Sequence, residues 1–270
     1  FLLPQVRHLF LNDLTEQHHR SGPWDLVLFT GDLTQRGSTE QFEQLDETLA
    51  AIQAHLRRLG SDPIWLSVPG NHDLHRPDVK LPALRLLRRW QEEPEVQKEF
   101  WDDRGSPYRA VVDQAFSAYS SWSSRRADAP ACQLREGVLP GDFSLSMERG
   151  GLRVAVVGLN TAFLQLTDDD YEGKLELQAR QLHAVCAGDP DAWLREHHFA
   201  LLLTHHPPSW LSPAARQHLQ AEIAPPGRFL AHLCGHLHEG YSESRRVAGA
   251  PTQRILQASS LFGLESFGKK

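Results

Sequence analysis

An α/β fold is predicted for this sequence of 270 residues by three observations. Short continuous apolar runs, such as "WDLVLFT", "IWLSV" and "FALLL", have the length and composition of strands buried on both faces. Between them lie segments whose apolar residues recur at steps of three and four, the period of an amphipathic helix. The connections are short, and strand–helix–strand alternation with short connections is the signature of a parallel sheet.

Val6, Phe10 and Leu14 lie four apart and predict a helix over the first twenty residues, broken at Ser21–Pro23. "WDLVLFT" is the first strand and runs into "GDLTQRG". Phe42, Leu45, Leu49, Ile52, Leu56 and Leu59 then mark a clear helix. Ser38 and Gln41 have capping-box spacing, and Gly60 supplies the stop. "PIWLSVP" is the second strand and leads into "GNHD".

From Asp78 to about Arg126 the pattern becomes helical and aromatic, with Leu84, Leu87, Trp90, Phe100, Trp101, Phe116, Tyr119 and Trp122 interrupted by "EEP" and "RGSP". This predicts a helical cap inserted over one end of the sheet. "DFSLSMERGGLRVAVVGLN" reads as a hairpin turning at Gly150–Gly151. A helix around Gln178–Val185 precedes the strand "FALLL"; "RFLAHLC" is the next strand. "YSESRRVAG" and "RILQASS" close the chain as antiparallel strands.

Composition narrows the function. With 40% hydrophobic and 23% charged residues the chain can fill a core and has no sign of disorder. A net charge of −6 argues against a non-specific nucleic-acid binder. No apolar run approaches the roughly 18 residues of a membrane span, so no membrane partner is expected. Cys132, Cys186 and Cys234 have no metal-type spacing, and their odd number argues against a disulfide framework. A reducing, cytoplasmic setting is expected. The only methionine is Met147, and the chain opens on "FLLPQVRHLF". The expectation is a piece of a longer protein whose further domains are its nearest partners.

Four polar clusters close four apolar runs in the same way. "GD" follows "DLVLFT", "GNHD" follows "IWLSVP", "HH" follows "ALLLT", and "GHLH" follows "LAHLC". Ligands bind beyond the carboxyl ends of strands in α/β sheets, so Asp32, Asn71, His72, Asp73, His205, His206, His236 and His238 are expected to converge. A carboxylate, an amide oxygen and several imidazoles, with no thiolate, suit Mn²⁺, Fe or Zn²⁺. Gly31, Gly70 and Gly235 allow the tight turns that let short side chains reach a common point. Asn160 ends another apolar strand and is placed at the edge of the site. Each cluster alone is an ordinary loop; four in order at four strand ends is a constellation.

Taken together, "GDLTQRG", "PGNHD", "LLTHHPP" and "CGHLH" resemble the calcineurin-like metallophosphoesterase superfamily, from about Trp24 to about Gly263. The superfamily's ordered motifs are D-x-H, G-D-x-x-x-x-G, G-N-H-D/E, H-x-P and G-H-x-H. The histidine and proline details are most similar to the branch acting on cyclic nucleotides and small phosphodiesters. The resemblance implies a four-layer α/β/β/α sandwich of mixed sheets. It implies two divalent transition-metal ions, manganese favoured, and hydrolysis of phosphodiester or phosphomonoester bonds by a metal-activated hydroxide.

By position, Asp32 would bridge the two metals, Asn71, His205 and His236 would complete one shell, and His238 would serve the other. His72 would contact phosphate or protonate the leaving oxygen. His205, two before the proline, would be the ligand rather than His206. His206 would orient a ligand or touch substrate, and Asp73 would hold the turn or a neighbouring imidazole.

One motif departs. D-x-H is absent: Asp13 is followed by Leu14 and Thr15, inside the opening helical stripe. The first strand and its two ligands are therefore expected before Phe1, the alternative being a degenerate site that never had them. Two other functions are weighed. The arginines beside an aromatic in "LRLLRRW" could track a nucleic-acid backbone in a nuclease of the same fold, although a solvated helix face is the plainer reading. A regulatory or binding module that lost its chemistry would have no need of Asn71, His72, His205, His236 and His238.

Overall fold

The computed structural model describes residues 4–126, 133–246, 249 and 251–259, with the backbone alone at 4–6. The side chain of Val6, Cys132, Val247, Ala248 and the stretch from Ser260 onward lie outside the described residues. The opening helix is α1 (Pro4–Ser21), followed by β1 (Leu26–Phe29), α2 (Thr39–Arg58) and β2 (Ile64–Ser67). Four helices follow within the expected insertion: α3 (Pro82–Leu87), α4 (Pro94–Asp102), α5 (Pro107–Ala115) and α6 (Ser117–Arg126). Next come β3 (Gln133–Glu136), β4 (Phe143–Arg149), β5 (Leu152–Gly158), α7 (Ala179–Val185), α8 (Pro190–Arg195) and β6 (Phe199–Leu203). α9 (Pro213–His218), β7 (Ala231–Cys234), β8 (Tyr241–Arg245) and β9 (Gln253–Gln257) complete the described chain.

The strands form two sheets. β1 and β2 are a parallel pair, Leu26 opposite Ile64 and Phe29 opposite Ser67. The other seven form one mixed sheet in the order β3-β4-β5-β6-β7-β9-β8, parallel from β5 through β6 and β7 to β9. β3, α8 and α9 were not foreseen in the sequence. β3 is a mostly exposed four-residue edge strand, "QLRE", with no apolar run to announce it.

The continuous apolar runs are explained by burial on both faces. Leu26 and Leu28 of β1 and Ile64, Leu66 and Val68 at β2 face one core, together with Leu145 of β4, Val154 and Val156 of β5 and Leu203 of β6. Their neighbours Val27, Phe29 and Trp65 face the other way, into the core shared with α2. Ala155, Val157, Ala200 and Leu202 likewise face Leu182 and Val185 of α7. Each strand serves two cores by alternation, and the two sheets stack between outer helices as a sandwich.

α2 begins as its sequence suggests, with the Ser38 side chain accepting from Gln41 N at 3.3 Å. The reciprocal half of the capping box does not form. Gln41 Oε1 instead accepts from Arg36 N at 2.8 Å, tying the helix to the "GDLTQRG" loop. The inserted helices are part of the main core. Trp122 stacks on Phe42 of α2 at 5.3 Å and donates Nε1–H to Asp46 at 2.8 Å. Trp90 and Phe100 pack on Phe163, and Trp90 donates to Glu176 at 3.1 Å.

Asp142, 2% exposed, holds the β3–β4 connection against the end of β5. Its carboxylate accepts from Asn160 N (2.8 Å), Leu139 N (3.0 Å) and Gln181 Nε2 (3.0 Å). Burial nevertheless pushes its pKa up to about 7. With the folded pKa above the unfolded one, the native state holds the extra proton between roughly pH 4 and 7, and stability drains away as pH rises through that window. The stability difference between wild type and Asp142→Asn should therefore shrink as pH rises from 4 to 7, by at most about 1.4 kcal/mol per unit. Urea unfolding of both proteins across that range measures it; a difference independent of pH would refute the assignment.

Candidate metal centre

Four strand ends deliver the site: β1 into Gly31–Asp32, β2 into Gly70–Asp73, β6 into Thr204–His206, and β7 into Gly235–His238. Two belong to the small sheet and two to the large one, so the site lies where the sheet ends face each other. Gly31 has φ of +98°, and a Cβ on it would stand 2.6 Å from Gly70 N and 2.5 Å from His205 Nδ1. A Cβ on Gly70 would strike the Asp32 carboxylate. The loops touch backbone to backbone, and no side chain larger than hydrogen fits either position.

His205 is the hub. It is 1% exposed, and its Nδ1 lies 2.6 Å from Thr30 O. A carbonyl can only accept, so Nδ1 carries the proton and Nε2 presents its lone pair. That lone pair faces Asn71 Oδ1 at 3.1 Å, His236 Nδ1 at 3.1 Å and Asp32 Oδ2 at 3.4 Å. Ligand atoms sharing one ion at ~2.0–2.1 Å lie about 2.9–3.4 Å from one another. The separations are those of a common coordination shell, and the residues fit a divalent ion. A histidine whose other nitrogen donates to a backbone carbonyl is the usual form of a metal-binding imidazole.

The nitrogens of His205, His206 and His236 also lie within 4.8 Å of one another. His206 is nonetheless a brace. Its Nε2 donates to Gln165 Oε1 at 2.7 Å, and its Nδ1 meets Thr161 Oγ1 at 3.0 Å. Both nitrogens are engaged within the protein, leaving Asp32, Asn71, His205 and His236 as the converging set. Burial, then the neighbouring His205, holds His206 well below the usual imidazole range and lowers His236 to about 3. Both are neutral at pH 7, as ligation requires of His236.

His72 is exposed; its backbone N–H donates to Asp32 Oδ1 at 3.0 Å, and its Nδ1–H to Gln35 O at 3.1 Å. Its Nε2 is left facing outward. His238 lines the same cavity as Asp32, His205 and His236. Asp32, His236 and His238 have φ of +58°, +75° and +58°, a conformation that non-glycine residues adopt at a cost of about 1–3 kcal/mol each. Among the described non-glycine residues only Ala187 shares this conformation with the three expected ligands, and strain of this kind concentrates at functional sites.

Asp73 holds the turn. Fully buried, it accepts from Thr34 N (2.8 Å) and Gly70 N (2.9 Å), joining the first two loops. Burial, then the charge of Asp32, raises it to about 7. Asn160 is not at the mouth of the site. It is 0% exposed, with Nδ2 donating to Pro140 O at 2.8 Å and Oδ1 accepting from Ala162 N at 2.7 Å. It ties its own loop to the β3–β4 connection, and the next residue, Thr161, reaches His206. Sequence reasoning missed Thr30, Thr161, Gln165 and Trp210. Thr30 acts through its backbone, and Thr161 and Gln165 sit in an unpatterned loop. Trp210, three residues past "HHP", was the one with a visible signal.

Residues 6–240 match the calcineurin-like phosphoesterase family. The chain belongs to that family. Membership supports a metal-dependent phosphoesterase activity and implies divalent metal ions. The sequence matches none of the curated proteins with which it was compared. Among solved structures it is similar to a putative 5′-nucleotidase from Staphylococcus aureus, with 14% identity, a TM-score of 0.41, and coverage of 94% of this chain and 43% of that one. It is also similar to the sulfate thiohydrolase SoxB from Thermus thermophilus, with 17% identity, a TM-score of 0.41, and coverage of 94% and 37%. A third is the calcineurin-like phosphoesterase YfkN from Bacillus subtilis, with 13% identity, a TM-score of 0.34, and coverage of 87% and 80%. The chain thus spans less than half the length of the first two. Among the described residues no helix is long and apolar enough to cross a membrane.

Replacing Asp73 by Ala orphans two buried backbone N–H groups at roughly 1–3 kcal/mol each. The variant should be roughly 2–6 kcal/mol less stable than wild type in chemical denaturation. A loss below about 1 kcal/mol would show that the turn holds without its carboxylate.

Proposed function

We propose that this chain is the hydrolase domain of a metal-dependent phosphoesterase. It cleaves phosphodiester or phosphomonoester bonds, within the branch that acts on cyclic nucleotides and other small phosphodiesters. The observation that carries the reading is the gathering of Asn71 Oδ1, His236 Nδ1 and Asp32 Oδ2 around His205 Nε2 at 3.1, 3.1 and 3.4 Å. Asp32, Asn71, His205 and His236 would hold one ion, and Asp32 with His238 a second, manganese being favoured by a set rich in oxygen and imidazole and free of thiolate. Bound there, the ions supply Lewis acidity toward a phosphoryl oxygen and toward water.

The remaining work falls to the chain. His72, with Nδ1–H committed to Gln35 O, leaves Nε2 as the atom that would take up a proton from solvent and pass it to the departing oxygen. Asn71 contributes a neutral oxygen where a second carboxylate would dull the electrophile. Asp73 and His206 keep the ligands in place from behind. The inserted helices begin soon after the His72 turn, and we assign to them the shaping of substrate choice. Two of the three arginines of "LRLLRRW", Arg88 and Arg89, are paired with Asp169 (2.8 Å) and Glu92 (3.0 Å), and a small phosphoester remains the favoured substrate.

The second ion would have two ligands among the described residues, Asp32 and His238. Among the described residues β1 pairs with β2 alone, and a cavity of about 430 Å³ runs from Phe10 and Leu14 to Asp32 and His238. A further strand from a longer protein, seated along β1, would complete that shell. The buried free thiols of Cys186 and Cys234 accord with a cytoplasmic setting.

Chelator-treated full-length protein should regain hydrolysis of bis(p-nitrophenyl) phosphate on addition of Mn²⁺; no recovery with any divalent ion would sink the proposal. His72→Ala should keep its metal and lose roughly 10²–10⁴ in turnover, less with a nitrophenolate leaving group. Asn71→Ala should instead lose metal affinity. Elemental analysis of both variants beside their kinetics tests this, and the opposite pattern would reverse the two roles.

A further inference from the structure

The three site histidines are not held alike. His205 is fixed by Thr30 O, and His206 by Thr161 and Gln165. The imidazole of His236 meets His205 Nε2 through Nδ1, its ring lies 4.5 Å from that of His206, and no second hydrogen bond to it is found among the described residues. Its orientation is therefore set by packing, on a backbone already at φ of +75°. The wall it packs on is Trp210, whose ring centroid is 3.9 Å from that of His236 at an interplanar angle of 76°. The same indole lies nearly parallel to His206, 5.6 Å away at 24°.

Trp210 is itself well anchored. It follows Pro207 and Pro208, whose rings fix φ, and its N–H donates to Pro207 O at 3.0 Å. Its carbonyl accepts from Leu175 N at 3.2 Å, next to a bridge between the buried Leu175 and Leu211. A rigid backbone thus presents a rigid ring to a histidine that lacks a second hydrogen bond.

We propose that Trp210 is a positioning residue that sets the orientation of His236 and thereby the metal affinity of the site, taking the place of the hydrogen-bonded partner found at His205. The inference rests on the metal-binding reading given above. Outer partners of metal ligands are worth roughly 10–100-fold in affinity, and an aromatic wall acts by excluding the other rotamers of the ring.

The test is a Co²⁺ titration of metal-stripped wild type, Trp210→Phe and Trp210→Leu, followed by tryptophan fluorescence, visible absorption and calorimetry. In wild type, Co²⁺ should bind saturably and quench part of the fluorescence. Trp210→Phe should lose most of that quench yet bind within about threefold of wild type, because a ring is retained. Trp210→Leu should bind roughly 10–100-fold more weakly, with an altered Co²⁺ absorption spectrum. A Trp210→Leu protein with wild-type affinity and spectrum overturns the inference while leaving the metal site standing. So does a quench that persists undiminished in Trp210→Phe, which keeps the test decisive if Trp210→Leu fails to fold. Absence of saturable binding in wild type overturns this inference and the metal reading together.

Discussion

Lone pairs aimed at one another are unfavourable in a protein interior, and this fold gathers three of them, on His205 Nε2, Asn71 Oδ1 and Asp32 Oδ2, beside His236 Nδ1. The proton on His205 Nδ1 is committed to Thr30 O, so Nε2 confronts an amide oxygen, a carboxylate oxygen and a second imidazole at hydrogen-bond separations. A buried polar group is tolerated when a partner satisfies it. Here one cation can satisfy all four groups at once. The arrangement is thus a constraint on the rest of the molecule: everything around it has to hold acceptors together that would otherwise separate.

The scaffold meets that constraint by bringing backbones close. Gly31 and Gly70 let two loops touch, Asp73 ties both with N–H bonds, and Asp32 caps His72 N in return. On the other sheet Thr204 links its neighbours, its hydroxyl donating to His206 O at 2.9 Å and meeting His232 Nε2 at 2.8 Å. The strain at Asp32, His236 and His238 is sustained by these bonds and by two cores on which all the central strands alternate. Stability lost at the strand ends is offset in the layers behind them.

Much of this was legible in the sequence because it is carried by local pattern. The doubly buried runs gave β1, β2, β5 and β6. The three-and-four stripe gave α2, and the polar clusters after apolar runs named the loops whose Asp32, Asn71, His205 and His236 side chains converge. What was illegible depends on tertiary contact. β3 exists because β4 offers it an edge, and Gln41 turns away from Ser38 because Arg36 N lies closer to hand. Asn160 was read as facing the site because it ends a strand, yet its amide is consumed in tying its own loop to the β3–β4 connection. Thr30 acts through a carbonyl, which no side-chain motif can reveal.

The site also has a history along the chain. His205 meets Asn71 across 134 residues and Thr30 across 175. No local turn or hairpin can assemble such a centre, and each contact requires closing a very long loop first. During synthesis Asp32 and Asn71 leave the ribosome long before His205 and His236 exist. The full set of four groups cannot come together until His236 has been synthesised, so this centre is the product of long-range folding and not a local nucleus for it.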